Sequence, residues 1–296
     1  MSSNFKIISW QSSDGLALKG RDYPANTHIP GLLPVVCLHG LTRNVRDFDD
    51  IATYLSAQGR RVISLDMRGR GQSEYDTNKR NYRPDVYARD VDGFLESLGI
   101  ERAHFIGTSL GGLIIVTLAG YNLSRIAGAV LNDIGPSVDP AGIARIASYA
   151  GQGAHVKTWD DAVAYTKMIG IAAYPNFTDV EWQKMARCTF RENEHGLPAF
   201  DYDAKVFRAI KPLSLKMLSA LLWFKFRKLA RNRPTLLLRG GISDLLADKT
   251  VTRLKKQVPT LLSVEVPNVG HAPWLTEPVA TEAVDGFLSL SDKGWM

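Results

Sequence analysis

The 296-residue chain predicts an α/β fold: a mostly parallel, doubly wound sheet interrupted once by a helical cap. Three observations carry this reading. Short apolar runs alternate with amphipathic helical stretches up to about residue 136 and again from Pro234. Runs such as Leu32 to Leu38 are apolar throughout, as a strand buried on both faces must be. Between 137 and 233 the alternation stops, and the pattern becomes mostly helical and rich in aromatics. The chain therefore divides into a core, 1–136 and 234–296, and a cap insertion, 137–233.

Each element follows from local pattern. Phe5 to Trp10 and Leu16 to Asp22 read as strands joined by the hairpin turn signal Asp14-Gly15. The strand Leu32 to Leu38 runs into His39-Gly40-Leu41-Thr42. A helix follows from about Arg46, with Phe48, Ile51, Ala52 and Leu55 on one face. Arg61 to Leu65 is a strand leading into the glycine-rich loop Asp66 to Ser73. Asp85 to Leu98 is helical, with a stripe of Val86, Tyr87, Val91, Phe94, Leu95 and Leu98. Ala103 onward is a buried strand, an abrupt turn and a buried helix; Ala127 to Leu131 is the next strand. After the cap come a strand at Thr235 to Leu238, a helix at Lys249 to Val258, a strand at Ser263 to Val266 and a closing helix at Pro278 to Leu290.

Composition bounds the function. Hydrophobic residues make up 45% and charged residues 22%, ordinary for a soluble globule with a sizeable core. Net charge is +6, but the basic residues are scattered and no nucleic-acid motif accompanies them. No apolar run reaches the roughly 18 residues of a membrane span. Met1 to Trp10 has no basic segment followed by an apolar stretch, so no secretory signal is expected. The two cysteines, Cys37 and Cys188, lie far apart, and Cys37 sits in an apolar run, which suits reduced thiols in the cytoplasm. The expected partner is a small molecule, with no nucleic acid or membrane contact, and the expected state is a monomer or homodimer.

The chemistry centres on Gly107-Thr108-Ser109-Leu110-Gly111 between a strand and a helix. A tight turn there exposes the serine hydroxyl at the carboxyl edge of a sheet, and the flanking glycines let strand and helix pass closely. A serine needs a base. Of the six histidines, His271 in Val269-Gly270-His271-Ala272-Pro273 follows the last strand and could reach Ser109. His39 also ends a strand, but reads as a local hydrogen-bonding residue; His28, His104, His155 and His195 fall in a loop, in the serine's strand or in the cap. The base needs an orienting carboxylate. Asp244, in Gly240-Gly241-Ile242-Ser243-Asp244, is the leading candidate. Asp133, in a turn before Gly135-Pro136, and Asp248, near a helix start, are the alternatives. Backbone N–H groups of Leu41 and Leu110 are placed to receive an oxyanion. Asp66 to Ser73 lacks the Gly-Lys-Ser/Thr ending of a phosphate loop and reads as a structural loop fixed by Asp66 and Arg68. No His-x-x-x-His or Cys-x-x-Cys spacing suggests a metal, and no cofactor is expected.

Across nearly its whole length the chain resembles the α/β-hydrolase superfamily. His39-Gly40 after a strand, the Asp66 to Ser73 loop, Gly107 to Gly112, and Gly270-His271-Ala272-Pro273 with Glu277-Pro278 carry the resemblance. It implies Ser109 as nucleophile, Asp244 as acid, His271 as base, and Leu41 and Leu110 as oxyanion donors. Related dehalogenases and epoxide hydrolases place aspartate where this chain has Ser109. The reading is thus a serine esterase that cleaves a carboxylic ester or lactone. A carbon–carbon hydrolase of a ring-cleavage dienoate and a non-catalytic receptor on the same fold are the alternatives. Trp274, Tyr149, Tyr165 and Met168 are expected to contact substrate, within a wider set of Ile146, Tyr174, Phe177 and Trp182. Together they suggest a small, largely apolar ligand. Pro212 to Arg233, apolar and then basic, reads as a packed cap helix, with an interfacial role as the alternative.

Overall fold

A computed structural model describes residues 5–27, 29–149, 156–209 and 215–294. In chain order the strands are β1 (Lys6–Gln11), β2 (Ala17–Tyr23), β3 (Val35–Leu38), β4 (Val62–Asp66), β5 (Ala103–Thr108), β6 (Ile126–Asn132), β7 (Phe190–Glu192), β8 (Pro198–Phe200), β9 (Thr235–Gly240) and β10 (Leu262–Val266). The helices are α1 (Asp49–Ala57), α2 (Pro84–Ser97), α3 (Leu110–Tyr121), α4 (Pro140–Tyr149), α5 (Trp159–Gly170), α6 (Asp179–Thr189), α7 (Leu215–Asn232), α8 (Asp248–Gln257) and α9 (Pro278–Asp292).

The main sheet has the order β1-β2-β4-β3-β5-β6-β9-β10. The β1–β2 and β2–β4 pairs are antiparallel, and every later pair is parallel. Alternation along β3 shows why the sheet is covered twice. Val36 and Leu38 pack with α2 and α3, whereas Val35 and Cys37 pack with α1 and α9. The strand order reverses between β3 and β5, and this switch point opens a crevice at the carboxyl ends of those two strands. His39 to Thr42 and Ser109 lie at that edge. In α2 the predicted stripe is buried except at its end, where Leu98 is exposed.

The insertion is largely helical, with a two-stranded β7–β8 hairpin that the sequence pattern does not announce. Capping boxes start α5 (Thr158 with Asp161) and α6 (Thr178 with Glu181), satisfying backbone donors that a helix start leaves open. Helix α7, which the sequence pattern assigns to the cap, packs on the core. Its Trp223, Phe226, Leu229 and Ala230 are buried in the same cluster as α3. The basic residues that follow grip the core: Lys228 donates to the Gly120 carbonyl at 2.9 Å and Arg233 to that of Ile126 at 2.6 Å. Leu221 and Phe224 remain exposed. Pro212 and Leu213 of the predicted amphipathic stretch, and the side chains of Leu215, Met217 and Leu218, lie outside the described residues. No helix among the described residues is long and apolar enough to cross a membrane.

If α7 is core, truncating it must weaken the whole domain. Leu229→Ala is expected to cost about 2–5 kcal/mol in denaturant unfolding. A loss under about 1 kcal/mol, typical of a surface site, would contradict this packing.

Candidate active site

Ser109 sits between β5 and α3 with φ 52° and ψ −110°, a conformation rarely tolerated outside glycine. Close packing enforces it. A Cβ at Gly111 would lie 1.9 Å from the Leu38 carbonyl oxygen, and one at Gly107 would lie 2.5 Å from the Gly111 carbonyl carbon. Strand β5, helix α3 and strand β3 therefore approach more closely than any side chain allows. The Ser109 N–H donates to the Asn132 carbonyl at 3.0 Å, which holds the turn against the end of β6.

The hydroxyl of Ser109 is 2.9 Å from His271 Nε2. On the other side of the ring, His271 Nδ1 is 2.7 Å from Asp133 Oδ2. The carboxylate that meets the imidazole is thus Asp133, and not Asp244, the leading candidate in the sequence. Asp133 follows β6 with φ 52° and is fully buried. Besides His271 it accepts the Gly240 N–H at 2.9 Å and the Ser243 hydroxyl at 2.6 Å. Three donors answer its charge, so His271 Nδ1 carries a proton and Nε2 faces the serine as an acceptor.

Asp244 is engaged elsewhere. Arg145 of α4 grips it through Nε at 2.6 Å and Nη2 at 2.9 Å, and this bidentate contact holds its carboxyl below the usual carboxylate range. The third candidate, Asp248, is the first residue of α8, where its charge suits the helix N-terminus. The loop after β9 does serve the imidazole, but through a serine hydroxyl one residue before the predicted aspartate.

The loop after β3 is fixed from below. Buried His39 sits 2.7 Å from the Gly40 carbonyl through Nδ1 and accepts the Met67 N–H at 3.1 Å through Nε2. Leu41 lines the cavity beside Ser109, and its carbonyl accepts Arg70 Nε at 3.0 Å, which orients the peptide. Leu110 is the first residue of α3, where an N–H has no carbonyl one turn earlier in the helix. The glycine-rich loop is structural. Asp66 accepts the N–H groups of Val45 and Gln72, and Arg68 pairs with Asp14, Asp76 and Asp90.

Ser109 and His271 open into a cavity between the core loops and the insertion, and Tyr149, Tyr165 and Trp274 line it as the sequence suggests. Met168 does not; it is 68% exposed. On α5, Tyr165 and Ile169 share the cavity face, and Met168 falls about 200° round from buried Thr166. Ile146 and Tyr174 also line the cavity, whereas Phe177 and fully buried Trp182 lie outside the lining, packed with Tyr174. The sequence reading missed three residues. Arg43 and Arg145 line the cavity, and Asn132 joins the Ser109 turn to the histidine loop by donating to Thr108 Oγ1 at 3.1 Å and the Pro273 carbonyl at 2.8 Å. An asparagine at a strand end beside the serine strand was the available signal for the last.

Burial holds the imidazole of His39 down to about 3, below its ordinary 6.5. The unfolded chain therefore binds the extra proton, and the His39 contribution is complete above about pH 6.5 and lost as pH falls towards 3. Wild type should lose stability between pH 7 and pH 5, and His39→Gln should lose less over the same interval in urea unfolding. Identical losses would refute this source.

A family model described as alpha/beta hydrolase fold matches residues 34–278. The chain is 34% identical over 272 residues to a 3-hydroxybutyrate-oligomer hydrolase of Cupriavidus necator, covering 90% of each protein. It is 24% identical to a 2-(acetamidomethylene)succinate hydrolase of Mesorhizobium japonicum over 252 residues, 83% of this chain and 86% of that one. The crystal structure of an alpha/beta hydrolase from Novosphingobium aromaticivorans superposes with a TM-score of 0.88 at 39% identity, covering 98% of this chain and 99% of that one. The chain belongs to the alpha/beta hydrolase fold family.

Proposed function

We propose that this protein is a serine esterase that hydrolyses short, linear oligoesters of a small hydroxy acid. The observation that carries the reading is the unbroken hydrogen-bonded line from Ser109 through His271 to Asp133, open to a largely apolar cavity. The likeness to the Cupriavidus necator hydrolase over nine-tenths of the chain supports the substrate class.

The chemistry runs in two halves. Ser109 Oγ attacks the ester carbonyl as its proton passes to His271 Nε2, while buried Asp133 stabilises the imidazolium. The N–H groups of Leu41 and Leu110 receive the oxyanion, each worth about 3–4 kcal/mol in the transition state. The alcohol leaves with the proton from His271, and the acyl group stays on Ser109. Water then attacks with His271 as base and releases the acid. No step calls for a redox change. Asp133 here takes the part that the sequence reading gave first to Asp244.

Ser109→Ala is expected to abolish p-nitrophenyl butyrate turnover and labelling by a fluorophosphonate probe. Labelling that survives would remove Ser109 from the mechanism. A folded wild-type protein that does not label would favour a receptor. Asp133→Asn should lower kcat by about 10⁴, while Asp244→Asn should lose less than about tenfold; the opposite ranking would overturn the assignment of the acid. A panel of 3-hydroxybutyrate oligomers, lactones and a ring-cleavage dienoate then ranks the substrate classes by kcat/KM. The present reading fails if the dienoate leads.

Ser243 gives a separate test. Ser243→Ala removes one of the three donors to the Asp133 carboxylate, and kcat/KM should fall by about 3- to 30-fold. An unchanged kcat/KM would mean that Ser243 only holds the loop.

A further inference from the structure

We infer that Arg145 is the specificity-determining residue of the cavity and binds a free carboxylate at the end of the substrate. The inference rests on the oligoester reading above and narrows it. A linear oligoester of a hydroxy acid ends in one carboxylate, which lies on the alcohol side of the last ester bond. An esterase for such a chain either recognises that charge or ignores it, and the cavity contains the means to recognise it.

Charge balance singles out Arg145. The charged side chains lining the cavity, among the described residues, are Arg43, Asp47 and Arg145. Arg43 and Asp47 neutralise one another: Arg43 donates to Asp47 through Nε at 2.8 Å and Nη2 at 2.6 Å, and Nη1 is held by Thr189 Oγ1 at 2.5 Å. The same guanidinium lies over the Trp274 ring at 5.3 Å, so Arg43 is a fixed wall. Arg145 differs. Its counter-ion, Asp244, pairs with it through Nε and Nη2 but is not among the residues that line the cavity. The bidentate contact uses two of the five N–H groups of the guanidinium. Tyr149, also a lining residue, stands beside the same group and offers a neutral partner. Asp244 thus anchors one edge of Arg145 and aligns it on α4, as a carboxylate does when it orients an arginine for a second anion.

This assignment makes the enzyme a reader of chain ends. The alcohol expelled from the acyl carbon as Ser109 is acylated would carry the carboxylate held by Arg145, and a neutral chain of equal length would be a poor substrate.

The test uses the linear 3-hydroxybutyrate dimer as the free acid and as its terminal carboxamide, with p-nitrophenyl acetate as the reference ester. Wild type should favour the acid. Arg145→Met should raise KM for the acid by about 10- to 100-fold while KM for the carboxamide and the reference ester stays within about threefold. Asp244→Asn keeps the cation and one acceptor to hold it, so KM for the acid should stay within about threefold of wild type. Equal losses on acid and carboxamide in Arg145→Met, or a rise in acid KM in Asp244→Asn matching that of Arg145→Met, would make the pair a structural clamp and overturn the assignment while the esterase reading stands. Wild type that turns over p-nitrophenyl acetate but neither dimer would overturn the oligoester class and this inference with it.

Discussion

A carboxylate with no exposed surface has to be answered by donors, and Asp133 collects three of them from two separate loops. Leaving such a charge unpaired costs several kcal/mol, so the surrounding chain is not free to drift. Gly240 and Ser243 bring the loop after β9 to it, and His271 brings the loop after β10. Asn132, next in sequence, receives the N–H of Ser109 on its carbonyl and reaches the histidine loop with its side chain. The ends of four strands, β5, β6, β9 and β10, are thereby tied around one buried charge. The parallel sheet supplies those ends side by side, and the carboxylate decides how their loops meet.

Much of the core was legible because its signals are local. Continuous apolar runs mark strands buried on both faces, and Gly107 and Gly111 mark a close approach that the Leu38 carbonyl confirms. Ser109 and His271 sit in loops that few other geometries would use, and the structure brings them together. The acid was less legible for a physical reason. Asp133 and Asp244 both follow strands, and the choice depends on which of them an arginine 99 residues away from Asp244 removes from contention. That arginine lies in the insertion, whose docking onto the core no local pattern encodes.

The same limit explains Met168 and α7. Helical periodicity shows that a face is apolar but not which neighbour covers it; Tyr165 lines the cavity, whereas Met168 faces solvent. In α7, Trp223, Phe226 and Leu229 join the core layer beside α3, although the strand–helix alternation resumes only at Pro234. The helix leads directly into β9, as a crossover between parallel strands must.

One pair of hydrogen bonds joins the insertion to the base. The Gly270 N–H donates to the Ala173 carbonyl at 2.7 Å, and the Tyr174 hydroxyl donates to the Ala272 carbonyl at 2.6 Å, so both neighbours of His271 are held by the segment that follows α5. The roof of the cavity and the imidazole are therefore one mechanical unit. Lifting the roof to admit a bulkier molecule would drag the imidazole from the serine. On the esterase reading, size would then be policed by loss of the Ser109–His271 contact as well as by lack of room.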